Sequence, residues 1–543
     1  MSETAQQRNE QARRSAQVAI ERLHAEPTGL VRYESHGRVL IIGDQPAQWL
    51  AARLRTPLHA EVLWLGGEEE PGVPSTPLAG RRLQLSGHLG AFRVELGEPG
   101  SHNHQVLQAD LVIDLGAAAQ IESDIPPPGY WHFGVEPQDL DAATMALDGM
   151  VGTFEKPRYF DYDASICAHA RSGQPGCSQC IDACPADAII SIGESVEVNP
   201  NLCQGGGACA SVCPTGAMRY AYPAPADMAE RVRTLLHTYI KEGGSDAVVL
   251  FAAENDVADL PDLPPNVLLV VVEELASTGH DLWLAALSWG AGCVVLGAGL
   301  NVPPRSREAL RHQLAIGQAL LRPMGWPESS LRWLDLPTST FDFTASRQWD
   351  GKHAGFAANA PKRQFVSLAL DHLWQEASAR PDIIDLPAGA PYGQVTVNGE
   401  RCTLCLGCTS VCPAGALNAG DGEPRLVFHE SKCVQCGICA GACPEDAISL
   451  SPRWIADPEQ RRQPRTLFEE APFCCVSCGK PFATRRVIDN ILDKLAGHAM
   501  FQTDRARDRL KMCEDCRVVD AVQDESAMDM ALSGTRRHSN HNS

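Results

Sequence analysis

Twenty-one cysteines stand in this chain of 543 residues, and only Cys293 stands alone. Closely spaced thiolates on one tight loop can reach a single metal centre, so this spacing is the pattern of metal ligands. The clearest run is Cys402-x2-Cys405-x2-Cys408-x3-Cys412-Pro, followed by Cys433-x2-Cys436-x2-Cys439-x3-Cys443-Pro. In such a run three thiolates wrap one face of a cubane iron–sulfur cluster, and the fourth, before proline, ligates the other cluster of the pair. The expected ligand sets are therefore Cys402, Cys405, Cys408 and Cys443, and Cys433, Cys436, Cys439 and Cys412. Zinc is the alternative, and eight cysteines in this order argue against it.

An earlier block departs from the same ruler twice. Cys177-x2-Cys180-x3-Cys184-Pro has Gln174 at its first position, and Cys167 precedes the insertion AHARSGQPG. An insertion with glycine and proline can loop out and return Cys167 to the cluster; a buried free thiol is the other reading. His169 nearby reads as an ordinary hydrogen-bonding residue rather than a ligand. The second half, CQGGGACASVCP, holds Cys203, Cys209 and Cys213, with Gly206 where the second cysteine belongs. Crossover assigns Cys167, Cys177, Cys180 and Cys213 to one cluster and leaves Cys203, Cys209 and Cys184 for the other. Three outcomes stand open for that three-thiolate site: a [3Fe-4S] or site-differentiated [4Fe-4S] cluster, a fourth ligand from another segment or water, or a vacant half-site.

A third group, Cys475-x2-Cys478 and Cys513-x2-Cys516, lacks any Cys-Pro ending. Four thiolates with Gly479 in the knuckle turn read as a structural zinc site of ribbon or treble-clef type, with a further iron–sulfur cluster as the alternative. Cys474 is left as a free thiol.

The elements that must carry these groups read as several domains. Residues 1–35 read as a polar amphipathic helix. RVLIIGD (38–44), AEVLWLG (60–66) and LVIDLG (111–116) read as buried strands of a Rossmann-like α/β domain over 36–150. Residues 151–225 hold the first two-cluster module. AVVLFA, NVLLVVV and GCVVLGAG alternate with helical stretches at 277–290 and 305–322 in a second α/β domain over 240–340. Residues 345–395 read as a connector, 396–455 as the second two-cluster module, 470–520 as the four-cysteine zinc-ribbon-like module and 533–543 as a disordered tail.

Lys and Arg number 46 against 67 Asp and Glu, a net charge of −21, which argues against a nucleic-acid partner. No apolar run reaches the length of a membrane span, and the polar start MSETAQQRNEQARR carries no export signal, so the expected location is cytoplasmic. RVLIIGDQPAQWLAARL opens like a nucleotide fold but has only Gly43 where G-x-G-x-x-G is needed, so a cofactor-free module is expected rather than one holding FAD or NAD.

The block 402–443 resembles the bacterial two-cluster ferredoxins. The fold class implied is a multi-domain α/β protein with two α+β ferredoxin-like two-cluster modules and a small C-terminal zinc-ribbon-like module. PPNVLLVVVEELASTGHDLWLAALSWGAGCVVLGAG (264–299) resembles the delta subunit of methyl-viologen-reducing hydrogenase, a family that relays electrons to heterodisulfide reductase. Glu273, Glu274 and Ala298 stand where that family carries cluster cysteines, so the resemblance implies docking without a cluster. The whole arrangement resembles the multi-domain iron–sulfur proteins of the heterodisulfide reductase group, and CGKPF…RLKMCEDCRV looks like the large ferredoxins that accompany formate dehydrogenases. These resemblances imply an electron-transfer protein with four iron–sulfur clusters and a structural zinc, whose partners are redox proteins such as a formate dehydrogenase. The alternatives are a flavin-containing component of an oxidoreductase related to heterodisulfide reductase, and a redox-sensing or maturation accessory protein. No catalytic residues are assigned.

Overall fold

The computed structural model describes residues 3–23, 25, 28–66, 73–347, 352–420 and 423–524. The tail expected at 533–543 lies outside them. Two compact units emerge: Met1–Cys167 with Ser178–Pro387, and Ala168–Cys177 with Ala388–Ser543.

In the first unit, the N-terminal helix is Glu3–Ile20 and does not continue to residue 35. Leu30–Ser35 is a strand, antiparallel to Gly152–Pro157. The physical reason is its two-residue period: Val31, Tyr33 and Ser35 are buried while their neighbours face solvent. The helix is tied down by Asn9, which exchanges two hydrogen bonds with the backbone of Ser245.

The first α/β region forms a five-stranded parallel sheet in the order Ser75–Pro77, His59–Trp64, Arg38–Gly43, Leu111–Asp114, Tyr130–His132. Val39 and Ile41 face Ala47, Leu50 and Leu140. Leu40 and Ile42 face Phe92, Val94 and Leu96, which belong to a separate antiparallel sheet. Both faces of Arg38–Gly43 are thus covered, which accounts for its unbroken apolar run.

The second α/β region is a four-stranded parallel sheet in the order Val267–Val272, Val248–Ala253, Cys293–Ala298, Leu331–Asp335. The helices His280–Ser288 and Pro304–Leu321 belong to it. The span 345–395 is more than a connector. It carries the helix Lys362–Gln375, which packs on His280–Ser288 and buries Phe365, Val366, Ala369, Leu370 and Leu373.

The first cysteine block pairs Phe160–Tyr162 with Met218–Tyr220 around a hairpin of Ile189–Ile192 and Ser195–Val198. The second unit repeats this plan. Gly393–Val397 pairs with Ile448–Ile455, around a hairpin of Leu417–Ala419 and Arg425–Phe428. Within the second unit, the insertion of the first block forms a two-residue ribbon, Ala170–Arg171 with Gln174–Pro175.

The C-terminal part folds as a hairpin, Pro472–Cys474 with Pro481–Thr484, followed by the helices Arg485–Leu495, Asp504–Leu510 and Glu514–Val522. Thr484 caps the first of these by accepting from the Val487 amide at 3.2 Å. Arg509 holds the last by bonding Asp520 and Asp524.

Candidate metal centres

In the second unit, each complete cysteine loop runs through two left-handed residues. They are Leu404 and Leu406 in one loop, and Gln435 and Gly437 in the other. This backbone turns the three thiols of each loop inward. The third cysteine of each loop, Cys408 or Cys439, is carried on a single helical turn, Gly407–Ser410 or Ile438–Gly441.

Two cavities result. One is lined by Cys402, Cys405, Cys408, Cys443 and Pro444. The other is lined by Cys412, Pro413, Cys433, Cys436 and Cys439. Burial, and then Cys405, Cys402 and Cys443 in turn, push the Cys408 thiol up to about 12. Cys439 is pushed up to about 12 by burial and by Cys433, Cys436 and Cys412. Crowded, buried thiols of this kind bind a metal only with loss of their protons. The two Cys-Pro sulfurs accept backbone N–H groups, from Ala416 at 3.2 Å and from Ala447 at 3.3 Å. Such bonds stabilise thiolate charge and tune a cluster's potential.

In the first unit, Cys184 and Cys213 sit in an apolar cluster with Cys167, Cys180, Cys203 and Cys209 at its margin. Their sulfurs are treated alike: Ala188 donates to Cys184 Sγ and Met218 to Cys213 Sγ, each at 3.3 Å. Burial, and then Cys167 beside it, raise the Tyr162 hydroxyl above its ordinary value, and that hydroxyl accepts the Val196 amide at 3.3 Å. Cys209 is pushed well up by burial, then by Cys203 and Cys184. Cys177 belongs to the second unit, where its amide donates to the Ala168 carbonyl and its carbonyl meets His169 Nδ1 at 2.9 Å.

The loop with the missing cysteine keeps the conformation of the complete ones. Gly205 and Gly207 are left-handed at the places of Leu404 and Leu406, and Ala208–Val212 supplies the helical turn bearing Cys209. Gly206 occupies the place of Cys405 and Cys436. A Cβ there would lie 3.0 Å from Pro185 Cγ, the proline that follows Cys184. In the complete loops the same positions line one cavity, Cys405 with Pro444 and Cys436 with Pro413. The loop is held from outside at several points. Tyr220 donates to the Gly205 carbonyl at 2.9 Å, and Lys156 donates to the Cys203 carbonyl at 2.6 Å. A Cβ on Gly207 would meet the Ser277 backbone at 2.5 Å, so only glycine fits there. Sequence reading did not find Lys156 or Tyr220, because neither lies near the loop in the chain.

Cys475, Cys478, Cys513 and Cys516 bring their sulfurs within 4.8 Å of one another. Among the described residues no other such group of ligand atoms occurs. The Cys478 and Cys513 sulfurs are 3.7 Å apart. Thiolates at about 2.3 Å from one tetrahedral ion stand about 3.8 Å apart, so a single ion fits. The first pair sits on the hairpin, where left-handed Gly479 closes the knuckle by donating its amide to the Cys475 carbonyl at 2.9 Å. The second pair opens the helix Glu514–Val522, with Cys513 at its N-cap. Burial raises the Cys475 thiol, but backbone N–H groups of Cys513, Cys478 and Ser477 outweigh it and hold it at about 6. Cys475 is therefore ready to ligate at neutral pH. Cys474 is exposed, and Cys293 is buried, with Arg332 Nε donating to its sulfur at 3.2 Å.

The turn after Arg38–Gly43 does not fit a dinucleotide. Asp44 puts a carboxylate at the helix start, Pro46 removes an N–H, and Leu115 packs 3.1 Å from where a Gly43 Cβ would stand. Asp114 draws the following loop over this edge by accepting from Gly116, Gln120 and Tyr130. The N–H cradle that pyrophosphate requires is not built.

At the corresponding edge of the second sheet, burial lifts the Glu274 carboxyl to about 7, with Asp256 and Glu273 adding to it. A raised carboxyl contributes stability that is present below its unfolded value near 4.5 and is lost as pH climbs through 7. Glu274→Gln is expected to raise the melting temperature at pH 8, with the gain shrinking toward pH 5.5. A gain equal at both pH values would contradict this.

Comparison with known proteins agrees with this geometry. A family described as "4Fe-4S dicluster domain" matches residues 401–448, and one described as "4Fe-4S binding domain" matches 196–219. A ferredoxin of Saccharopolyspora erythraea is 30% identical over 88 residues, which span 83% of that protein and 16% of this chain. The matched segments carry the loops described above and point to iron–sulfur clusters and an electron-transfer role. No described helix is long and apolar enough to cross a membrane. By this relative and these domains, the chain belongs to the ferredoxin family.

Proposed function

We propose that this chain is a multi-cluster electron carrier with four iron–sulfur clusters and a structural zinc, serving redox partner proteins of the formate dehydrogenase or heterodisulfide reductase kind. The observation that carries the count of four is the loop at 203–209. Its left-handed positions and helical turn match those of the two complete loops although one cysteine is absent. A vacant loop has no reason to keep three clustered thiols and a glycine clamp. With Gly206 at the second ligand position the loop itself supplies no fourth thiolate, which favours a [3Fe-4S] centre. Cys203, Cys209 and Cys184 would hold it.

Each cluster carries one electron at a time. The chain's part is to bury the thiolates, direct N–H groups at their sulfurs and exclude water, which together set the potentials. The second α/β domain serves as a docking domain of hydrogenase delta-subunit type, and the first is a cofactor-free Rossmann-like module. The resemblance of the Cys475–Cys516 segment to formate dehydrogenase-associated ferredoxins supports that class of partner.

Iron, sulfide and zinc quantitation with EPR tests the proposal. About fifteen irons, about one zinc and a three-iron signal in the oxidised protein are expected. About eleven or twelve irons would remove one cluster from the reading. The third group is read as a treble clef, with one cysteine pair on a hairpin knuckle and the other opening a helix. Cys513→Ser is expected to lose the zinc and leave the iron content unchanged; a loss of about four irons would make the site a cluster.

A further inference from the structure

Lys156 presents an anomaly that the polypeptide alone does not resolve. It lies on the strand Gly152–Pro157, and its half-buried ammonium turns inward rather than out to water. Nζ donates to the Cys203 carbonyl at 2.6 Å and to the Asn201 carbonyl at 3.1 Å. It stands 5.0 Å from the centre of the Tyr33 ring, and the Tyr33 hydroxyl donates to that same Asn201 carbonyl at 2.6 Å. No carboxylate pairs with Lys156 among the described residues. Lysine side chains ordinarily extend their charge to solvent, and a partly buried cation without a counter-ion is unfavourable.

The contrast with Arg486 sharpens the point. Arg486 donates to the Cys402 carbonyl at 3.3 Å, at the same ligand position of a complete loop. Its charge, however, is matched by Glu470 at 2.9 Å. Lys156 has carbonyls and the Tyr33 ring before it, and no such carboxylate among the described residues.

We infer that Lys156 is the counter-ion of the cluster held by Cys203, Cys209 and Cys184, and that it sets this cluster's reduction potential above that of its neighbours. This rests on the reading that the three-thiolate loop holds a cluster. Iron–sulfur centres with thiolate ligands carry net negative charge, and one-electron reduction adds another. A fixed cation nearby stabilises the reduced form more than the oxidised one, and partial burial keeps solvent from screening it. Lys156 acts here as a positioning and charge-compensating residue, not as a ligand.

Dye-mediated anaerobic redox titration, followed by EPR and iron analysis of the full chain, tests this in three variants. Lys156→Met and Lys156→Gln are expected to lower the midpoint of this cluster, leaving the clusters of Cys402–Cys443 as internal controls. Lys156→Arg is expected to hold the wild-type midpoint. Glutamine keeps a hydrogen-bond donor but no charge, so a wild-type midpoint in Lys156→Gln overturns the inference and leaves a mere clamp. Equal shifts in all three variants also overturn it. If the neutral variants lose this cluster's iron while Lys156→Arg retains it, charge compensation is supported; loss in all three overturns it. A wild-type chain without this cluster overturns the underlying reading and the inference with it. A wild-type cluster whose midpoint no variant moves overturns the inference alone.

Discussion

Cys443→Ala is expected to remove about four irons per chain, and Cys405→Ala the same four. The double variant Cys405→Ala/Cys443→Ala should therefore lose no more than either single one. Cys405→Ala/Cys412→Ala should lose about eight. This non-additivity reads out which sulfurs share a cluster. The grounds are geometric. Cys443 lines the cavity of Cys402, Cys405 and Cys408, while Cys412 lines that of Cys433, Cys436 and Cys439. The sulfur of Cys443 is also fixed by the Ala447 amide, so it cannot simply swing away to serve the other site. If each run of four consecutive cysteines held its own cluster, the two double variants would exchange their results.

Gly206→Cys is expected to add about one iron per chain and to abolish the EPR signal of a three-iron centre in the oxidised protein. Gly206 is not among the left-handed residues, so a side chain meets no backbone strain. Its Cβ would press on Pro185 Cγ at 3.0 Å, a contact relieved by a shift of a few tenths of an ångström. The new sulfur would then enter from the position that Cys405 and Cys436 occupy. Gly207→Ala is the matched control. Its Cβ would meet the Ser277 backbone at 2.5 Å, and it should cost the cluster rather than complete it. An unchanged iron content and oxidised signal in Gly206→Cys would mean that the loop does not present this position to a cluster.

Much of the site was legible because iron–sulfur ligation is local. Three thiolates must reach one small object, so their spacing in the chain is constrained to a few residues, and the Cys-Pro endings mark the crossover. The strands RVLIIGD, AEVLWLG and LVIDLG were legible for a similar reason, since both faces of that sheet are buried and the apolar run is continuous. Leu30–Ser35 reads as helix in the sequence because a polar helix adjoins it, and its two-residue alternation is short. Lys362–Gln375 was hidden in a proline-punctuated stretch. Its apolar residues become a face only when the helix meets His280–Ser288.

By itself, then, the sequence determined the metal-binding character of the chain, the paired cysteine runs and the gap at Gly206, because ligand spacing is short-range chemistry. Only the tertiary structure decided that the gapped loop keeps the shape of a complete one, and that Lys156 and Tyr220 hold it. It alone also decided that the second C-terminal pair opens a helix and brings its sulfurs to the first. These are contacts between residues far apart in the chain. Lys156 and Cys203 are separated by 47 positions, and no periodicity or motif encodes a meeting that depends on how strands pair and loops close.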